Sequence, residues 1–177
     1  MNLWFRLIKI LLLGYFARPA KWDEPTQVSF RCWPTDLDIN LHMTNSRYLA
    51  LMDLARVNMM LRSGLWAWIR REGYAPVIAG ALVRFRRPVQ PFELITLTTQ
   101  FLGFDAKWIF IEHRMERKGE LVCLTVVKAT FLSKHGPVLP KTIVETFGLK
   151  DELRPLPEWI TSWLAAEHAA SQSEERK

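Results

Sequence analysis

Residues 34–48 read PTDLDINLHMTNSRY, and this stretch decides how the rest of the chain is understood. It gathers Asp36, Asp38, Asn40, His42 and Asn45 between a strand-like pattern and a helix-like apolar block. Polar side chains packed this densely on a loop between two rigid elements have the layout of a reaction site.

Upstream, Val28, Phe30 and Cys32 alternate with Ser29 and Arg31, the pattern of a half-buried strand that Pro34 ends. Downstream, Asn45 to Arg62 carries apolar residues on nearly every side, so a helix there is buried almost all round, as when a sheet wraps it. Thr44 or Asn45 can cap it, Asp53 and Arg56 are spaced to pair, and Gly64 suits its end. Leu65 to Arg71 adds a short helix.

Four strand patterns follow, over 77–87, 93–102, 107–117 and 121–132. The last is apolar on both faces, which places it centrally in the sheet. Lys118-Gly119 is a hairpin turn between the final pair. Pro140 to Phe147 predicts a short helix and Leu153 to His168 another, with a fraying polar tail from Ala169. One strand, one buried helix and four antiparallel strands make an α+β domain with the helix against one sheet face.

Residues 2–16 are apolar except for Asn2, Arg6 and Lys9, which fall on one narrow side of a helix. The stretch is short of the ~20 residues of a spanning helix, and its internal charges and lack of a cleavage site argue against a signal peptide. Two readings stand: peripheral contact with a membrane through residues 2–16, or a helix buried against a partner subunit. The division expected is helix 1–20, linker 21–26, central domain 27–148, and C-terminal helix and tail 149–177.

A formal charge of +6 points to an anionic partner. No basic-aromatic module marks a nucleic-acid binder. Zinc-type cysteine spacing, P-loop, GxGxxG and GxSxG strings are absent from the sequence, and no cluster supports a metal. Cys32 and Cys123 sit in separate apolar runs, as two reduced buried thiols of a cytoplasmic protein do.

The order of elements and the Asp36-x-Asp38 pair with Tyr48 ten residues on resemble the hot-dog-fold thioesterases of the hydroxybenzoyl-CoA thioesterase-like group, over roughly residues 26–135. That resemblance places the catalytic carboxylate on Asp38. Asp38-x-Asn40-x-His42 is also similar to the D-x-N-x-H motif of plant acyl-ACP thioesterases, as are Asn45-x-x-Tyr48 and Phe85-Arg86-Arg87. Where those enzymes next carry an acid and a cysteine, this chain has Pro88 and Val89.

The expected activity is hydrolysis of an acyl-CoA, or less readily an acyl-ACP, with no metal or redox cofactor. Asp38 would act as general base or nucleophile, and Asn40 would orient water or substrate. His42 would supply a proton or orient Asp38, and backbone N–H groups at the Asn45 helix would polarise the carbonyl. Tyr48 would pack on the acyl chain, with Trp33, Trp108 and Phe110 as tunnel residues. Arg84, Arg86, Arg87 and Lys107 would meet CoA phosphates or an acidic carrier. His113 is expected to be a satisfied core histidine. The resemblance implies a homodimer or homotetramer with the site between subunits. The alternative is a non-catalytic, membrane-associated hot-dog protein that binds acyl-thioesters or lipid.

Overall fold

The structure, a computed structural model, describes residues 2–22, 24–148 and 156–174. The elements run α1 (Asn2–Phe16), β1 (Thr26–Arg31), a 3₁₀ turn (Pro34–Asp36), α2 (Asn45–Arg62), α3 (Leu65–Glu72), β2 (Ala75–Phe85), β3 (Leu94–Phe104), β4 (Ile109–Arg117), β5 (Glu120–Ser133), β6 (Gly136–Val138), α4 (Pro140–Phe147) and α5 (Glu158–Glu174).

The main sheet is antiparallel in the order β1-β3-β4-β5-β2, with β6 added on β5. Its concave face holds α2, the hot-dog arrangement. Tyr48, Leu51, Met52, Leu54 and Ala55 of α2 are buried in one cluster with Phe30, Ile95, Leu97 and Met115 of the strands, while Met59 is buried in a second one with Ile111 and Val127. Only a narrow strip of α2, with Asn45, Ser46, Leu49 and Asp53, stays exposed. Gly64, at φ 76, lies in the left-handed region that lets the chain leave α2 and enter α3. Lys118 and Gly119, at φ 49 and 80, form the expected two-residue turn between β4 and β5.

β5 is apolar on both sides because both faces are covered. Val127 and Phe131 pack with α2 and α3, while Val126 packs with Phe110 beneath Ile160 of α5. Lys128 also pairs with Glu167 of α5. The expected fraying from Ala169 is not what the structure shows, since α5 continues to Glu174. The start of the predicted Leu153–His168 helix lies outside the described residues.

In β2 the alternation is not continuous. Ala79 is an extra residue between Ile78, paired with Ala129, and Gly80, paired with Lys128. This bulge puts Ile78 on the same side as Ala81 and Val83, so a period-two reading through Ala79 slips by one.

The largest departure from expectation is α1. Its charges share one side of the helix, as expected, but they part there: Lys9 is exposed, whereas Arg6 is buried with Ile10 and Gly14 against the body of the protein. Trp4, Phe5, Ile8, Leu11, Leu12, Leu13, Tyr15 and Phe16 are exposed, together with Lys9. The reason is a buried anion: Asp36, with no exposure, draws the guanidinium inward.

Candidate active site

The loop after β1 is built around Asp36. Its Oδ2 accepts hydrogen bonds from Arg6 Nη2 at 2.5 Å and from the Trp33 N–H at 2.9 Å, and Arg47 Nε stands 3.0 Å from Oδ1. The carbonyl of Asp36 accepts the Thr44 N–H at 2.9 Å, and Leu37 bridges Met43 in antiparallel fashion. Asp36 therefore staples the two ends of the loop together.

Residues 38–42 form the tip. Asp38 N–H donates to the His42 carbonyl at 2.8 Å, and Leu41 closes the turn at φ 59. Asp38 Oδ1 accepts the N–H groups of Asn40 at 2.8 Å and His42 at 3.4 Å. Its Oδ2 makes no hydrogen bond among the described residues. Asp38 and Asn40 are exposed and His42 is half-buried.

Asp38, His42, Asn45 and Tyr48 line one polar cavity of about 310 Å³, facing Phe85, Arg86, Arg87 and Pro88 from the end of β2. The α2 N-terminus borders it through Asn45, and Thr44 gives that end no side-chain cap. Tyr48 is buried, edge-on to Phe85 at 5.1 Å, and burial pushes its phenol up to about 12. A group so hard to ionise packs and hydrogen-bonds rather than exchanging protons near neutrality.

The other expected residues fall in different places. Asn40 is on the loop tip but does not line the cavity. Arg84 lies exposed on β2, one residue before Phe85. Lys107 sits in the β3–β4 connection, over the Trp108 ring at 4.7 Å. Ile109 pairs with Ala129 and Phe85 with Cys123, so Lys107 is about 20 Å along the sheet from this cavity. Trp108 and Phe110 pack beneath α5, on the sheet face opposite α2, and Trp33 is edge-on to Phe92 at 6.2 Å; none of the three lines the cavity. Pro88 does, and the buried Val89 offers its carbonyl to the Met43 N–H at 2.8 Å.

Two features escape a reading of the sequence. One is the pair of arginines on Asp36, because nothing in the spacing of Arg6, Asp36 and Arg47 reveals that they meet. The other is an apolar cavity of about 210 Å³ between the second half of α2 and strands β2, β4 and β5, lined by Met59, Met60, Ile78, Ile111 and Phe131. Arg56 is among its polar residues. Its Nη1 lies 2.8 Å from Nε2 of the fully buried His113, and it also pairs with Asp53. An arginine only donates, so Nε2 accepts and the proton is on Nδ1, which donates to Thr99 Oγ1 at 3.0 Å. Burial, and next the Arg56 charge, hold the His113 imidazole well below the usual histidine range; burial lowers Arg56 itself to about 10. His113 is the satisfied core histidine that its alternation with Ile111 and Met115 predicts.

The profile of the thioesterase-like superfamily matches residues 32–164. Protein THEM6 of Xenopus laevis is 31% identical over 140 residues, covering 78% of this chain and 67% of that one. The long-chain acyl-CoA thioesterase FadM of Escherichia coli is 29% identical over 99 residues, 55% of this chain and 74% of that one. The crystal structure of YbaW, a probable thioesterase from Escherichia coli, superposes with a TM-score of 0.65 at 20% identity, over 68% of this chain and 94% of that one, a likeness of fold. With a hot-dog sheet around α2 and the family profile spanning most of that unit, the chain belongs to the thioesterase-like superfamily.

Proposed function

We propose that this protein hydrolyses an acyl-CoA to the free carboxylic acid and the CoA thiol. The observation that carries the reading is the meeting of Asp38 and the uncapped α2 N-terminus in one cavity. The thioester carbonyl oxygen would take the first-turn N–H groups, where the helix end favours developing negative charge. Asp38 Oδ2, left open by its own loop, is the basic oxygen that takes a proton from attacking water or itself attacks the carbonyl carbon. Collapse of the tetrahedral species breaks the C–S bond, and His42 is the neighbouring group suited to protonate the thiolate; where Asp38 is the nucleophile, water then opens the mixed anhydride to release the acid and restore the carboxylate. Asn40, on the same loop tip, would help orient water.

Arg86 and Arg87 at the cavity rim suit the phosphates of CoA. The name of FadM, a long-chain acyl-CoA thioesterase, supports CoA over a protein carrier. Arg84 and Lys107 lie outside the cavity within one protomer, so their part in substrate binding depends on a second copy. Such a copy has a place to dock: β2 is an eleven-residue edge strand with little cover, an edge that otherwise invites uncontrolled pairing. A homodimer formed along β2 is part of this proposal.

Pro88 in the cavity, where the plant enzymes carry an acid, favours one other reading: a site that binds acyl-thioesters and does not cleave them. Thiol release from acyl-CoAs of graded length, measured for wild type and Asp38→Asn with melting curves of both, separates the two. The hydrolase reading expects turnover that falls by about 10²-fold or more in a folded variant. Tight binding without turnover in wild type would hand the site to the binding reading.

A further inference from the structure

The outer face of α1 is the most apolar exposed surface described. Trp4 and Phe5 are each 70% exposed, Tyr15 82% and Phe16 81%, with Ile8 and Leu12 between them. At about 100° per residue the exposed side covers an arc of about 200°, and Lys9 is its one charge. Monomeric proteins rarely leave an apolar patch of this kind to water. The inner face is already spent, with Ile10 buried, Gly14 against Leu61 and Arg6 on Asp36.

The shape of this face and the charge around it identify the occupant. The face is a ridge, not a groove, with its largest side chains standing out at both ends. Aromatic rings at the ends of an apolar helix suit the headgroup boundary of a bilayer. Residues 2–22 include no acid, and Lys9, Arg18 and Lys21 are all exposed beside or just after the ridge. That charge complements anionic headgroups. No helix among the described residues is long and apolar enough to cross a membrane; α1, fifteen residues and about 22 Å long, fits lying flat. A second copy of the chain has the β2 edge to use instead.

We propose that α1 beds its outer face in the interfacial layer of an anionic lipid bilayer, and that the Arg6–Asp36 pair sets the Asp38 loop beside that surface. The water-facing side such a helix normally needs is supplied here by the protein body. Resting on the hydrolase reading, the consequence is a substrate class: amphiphilic, long-chain acyl thioesters taken from the membrane.

Flotation of the full chain with vesicles of phosphatidylcholine alone, or mixed with phosphatidylserine, tests the surface. Wild type is expected to float with the mixed vesicles and far less with the neutral ones. The Ile8→Glu/Leu12→Glu variant, altered only at exposed positions, is expected to lose about ten-fold or more of the floated fraction at an unchanged melting temperature. Wild type that stays behind with both vesicles, or a variant that floats as well as wild type, overturns the proposal. So does a variant whose mass by light scattering, without vesicles, is half that of wild type, because a second copy then covers the face. Flotation needs no turnover, so a floating protein that cleaves no acyl-CoA leaves the lipid surface standing and removes only the hydrolase reading.

Discussion

Nη2 of Arg6 lies 2.5 Å from Oδ2 of Asp36, across thirty residues of sequence, and the carboxylate it meets has no exposure to water. With Arg47 on the other oxygen, Asp36 is a buried anion held by two cations and by its own loop. Asp38, two residues on, is exposed. Two carboxylates of the same motif thus have opposite environments.

Removing one member of a buried ion pair leaves the others uncompensated, at a cost of about 3–5 kcal/mol. Asp36→Asn is therefore expected to lower stability by that order in urea denaturation. Asp38→Asn, exposed, is expected to stay within about 1 kcal/mol of wild type. A mild Asp36→Asn would mean that the loop is held by its backbone bonds instead.

This division explains what was legible in the sequence. The strand before Pro34, the long α2 and the antiparallel run were readable because periodicity reports which side chains face the core, and these elements follow it. The bulge at Ala79 was not, since an extra residue leaves no mark on composition. Asp38, His42, Asn45 and Tyr48 could be grouped because they lie in one short stretch. The burial of Arg6 was not legible for the opposite reason: its partner Asp36 is remote in sequence, and a helix wheel does not show a buried counter-charge. Lys107 was grouped with Arg84, Arg86 and Arg87 by charge alone, and charge says nothing about which end of a sheet a turn occupies.

His113 makes stability depend on pH. Its imidazole is held well below the usual range in the folded protein by burial and by Arg56, whereas in the unfolded chain it titrates near about 6.5. Below that value the unfolded state binds a proton that the folded state refuses, so stability falls as pH drops, by up to about 1.4 kcal/mol per unit. Above about pH 7 both states are neutral there and the effect vanishes. Urea denaturation of wild type and His113→Gln between pH 7.5 and 5 is expected to show a shallower loss in the variant, whatever its stability at the upper end. Parallel curves would mean that His113 accepts a proton without unfolding.

Cys32 and Cys123 are free thiols with no exposure. Burial pushes both up to about 11, with Asp36 adding to the effect at Cys32. A thiolate is the reacting form, so at pH 8 only about one thiol in a thousand is ionised, and neither is reachable. Neither cysteine is expected to react with a disulfide reagent in the folded protein, and both should react in denaturant. Fast labelling of one thiol in the native state would show that its cover opens.

At Gly14, α1 approaches α2 closely. A Cβ there would stand 2.9 Å from Leu61 Cδ1 and 3.3 Å from Leu61 Cβ. Two effects oppose one another on substitution. Alanine in place of a helical glycine gains about 1 kcal/mol of helix propensity, while crowding a packed contact costs about 1–3 kcal/mol. The Leu61 side-chain end can turn aside for a methyl group but not for a larger side chain, because its Cβ is fixed to the α2 backbone. Gly14→Ala is therefore expected to fall within about 1 kcal/mol of wild type, with α1 still seated. Gly14→Leu is expected to lift α1 from α2 and, with it, Arg6 from Asp36. Brief trypsin treatment reads this directly: cleavage after Arg6 and Lys9, within α1, should be much faster in Gly14→Leu than in wild type or Gly14→Ala. Equal resistance in all three would mean that the Arg6–Asp36 pair and Ile10 hold the helix without the close approach at Gly14.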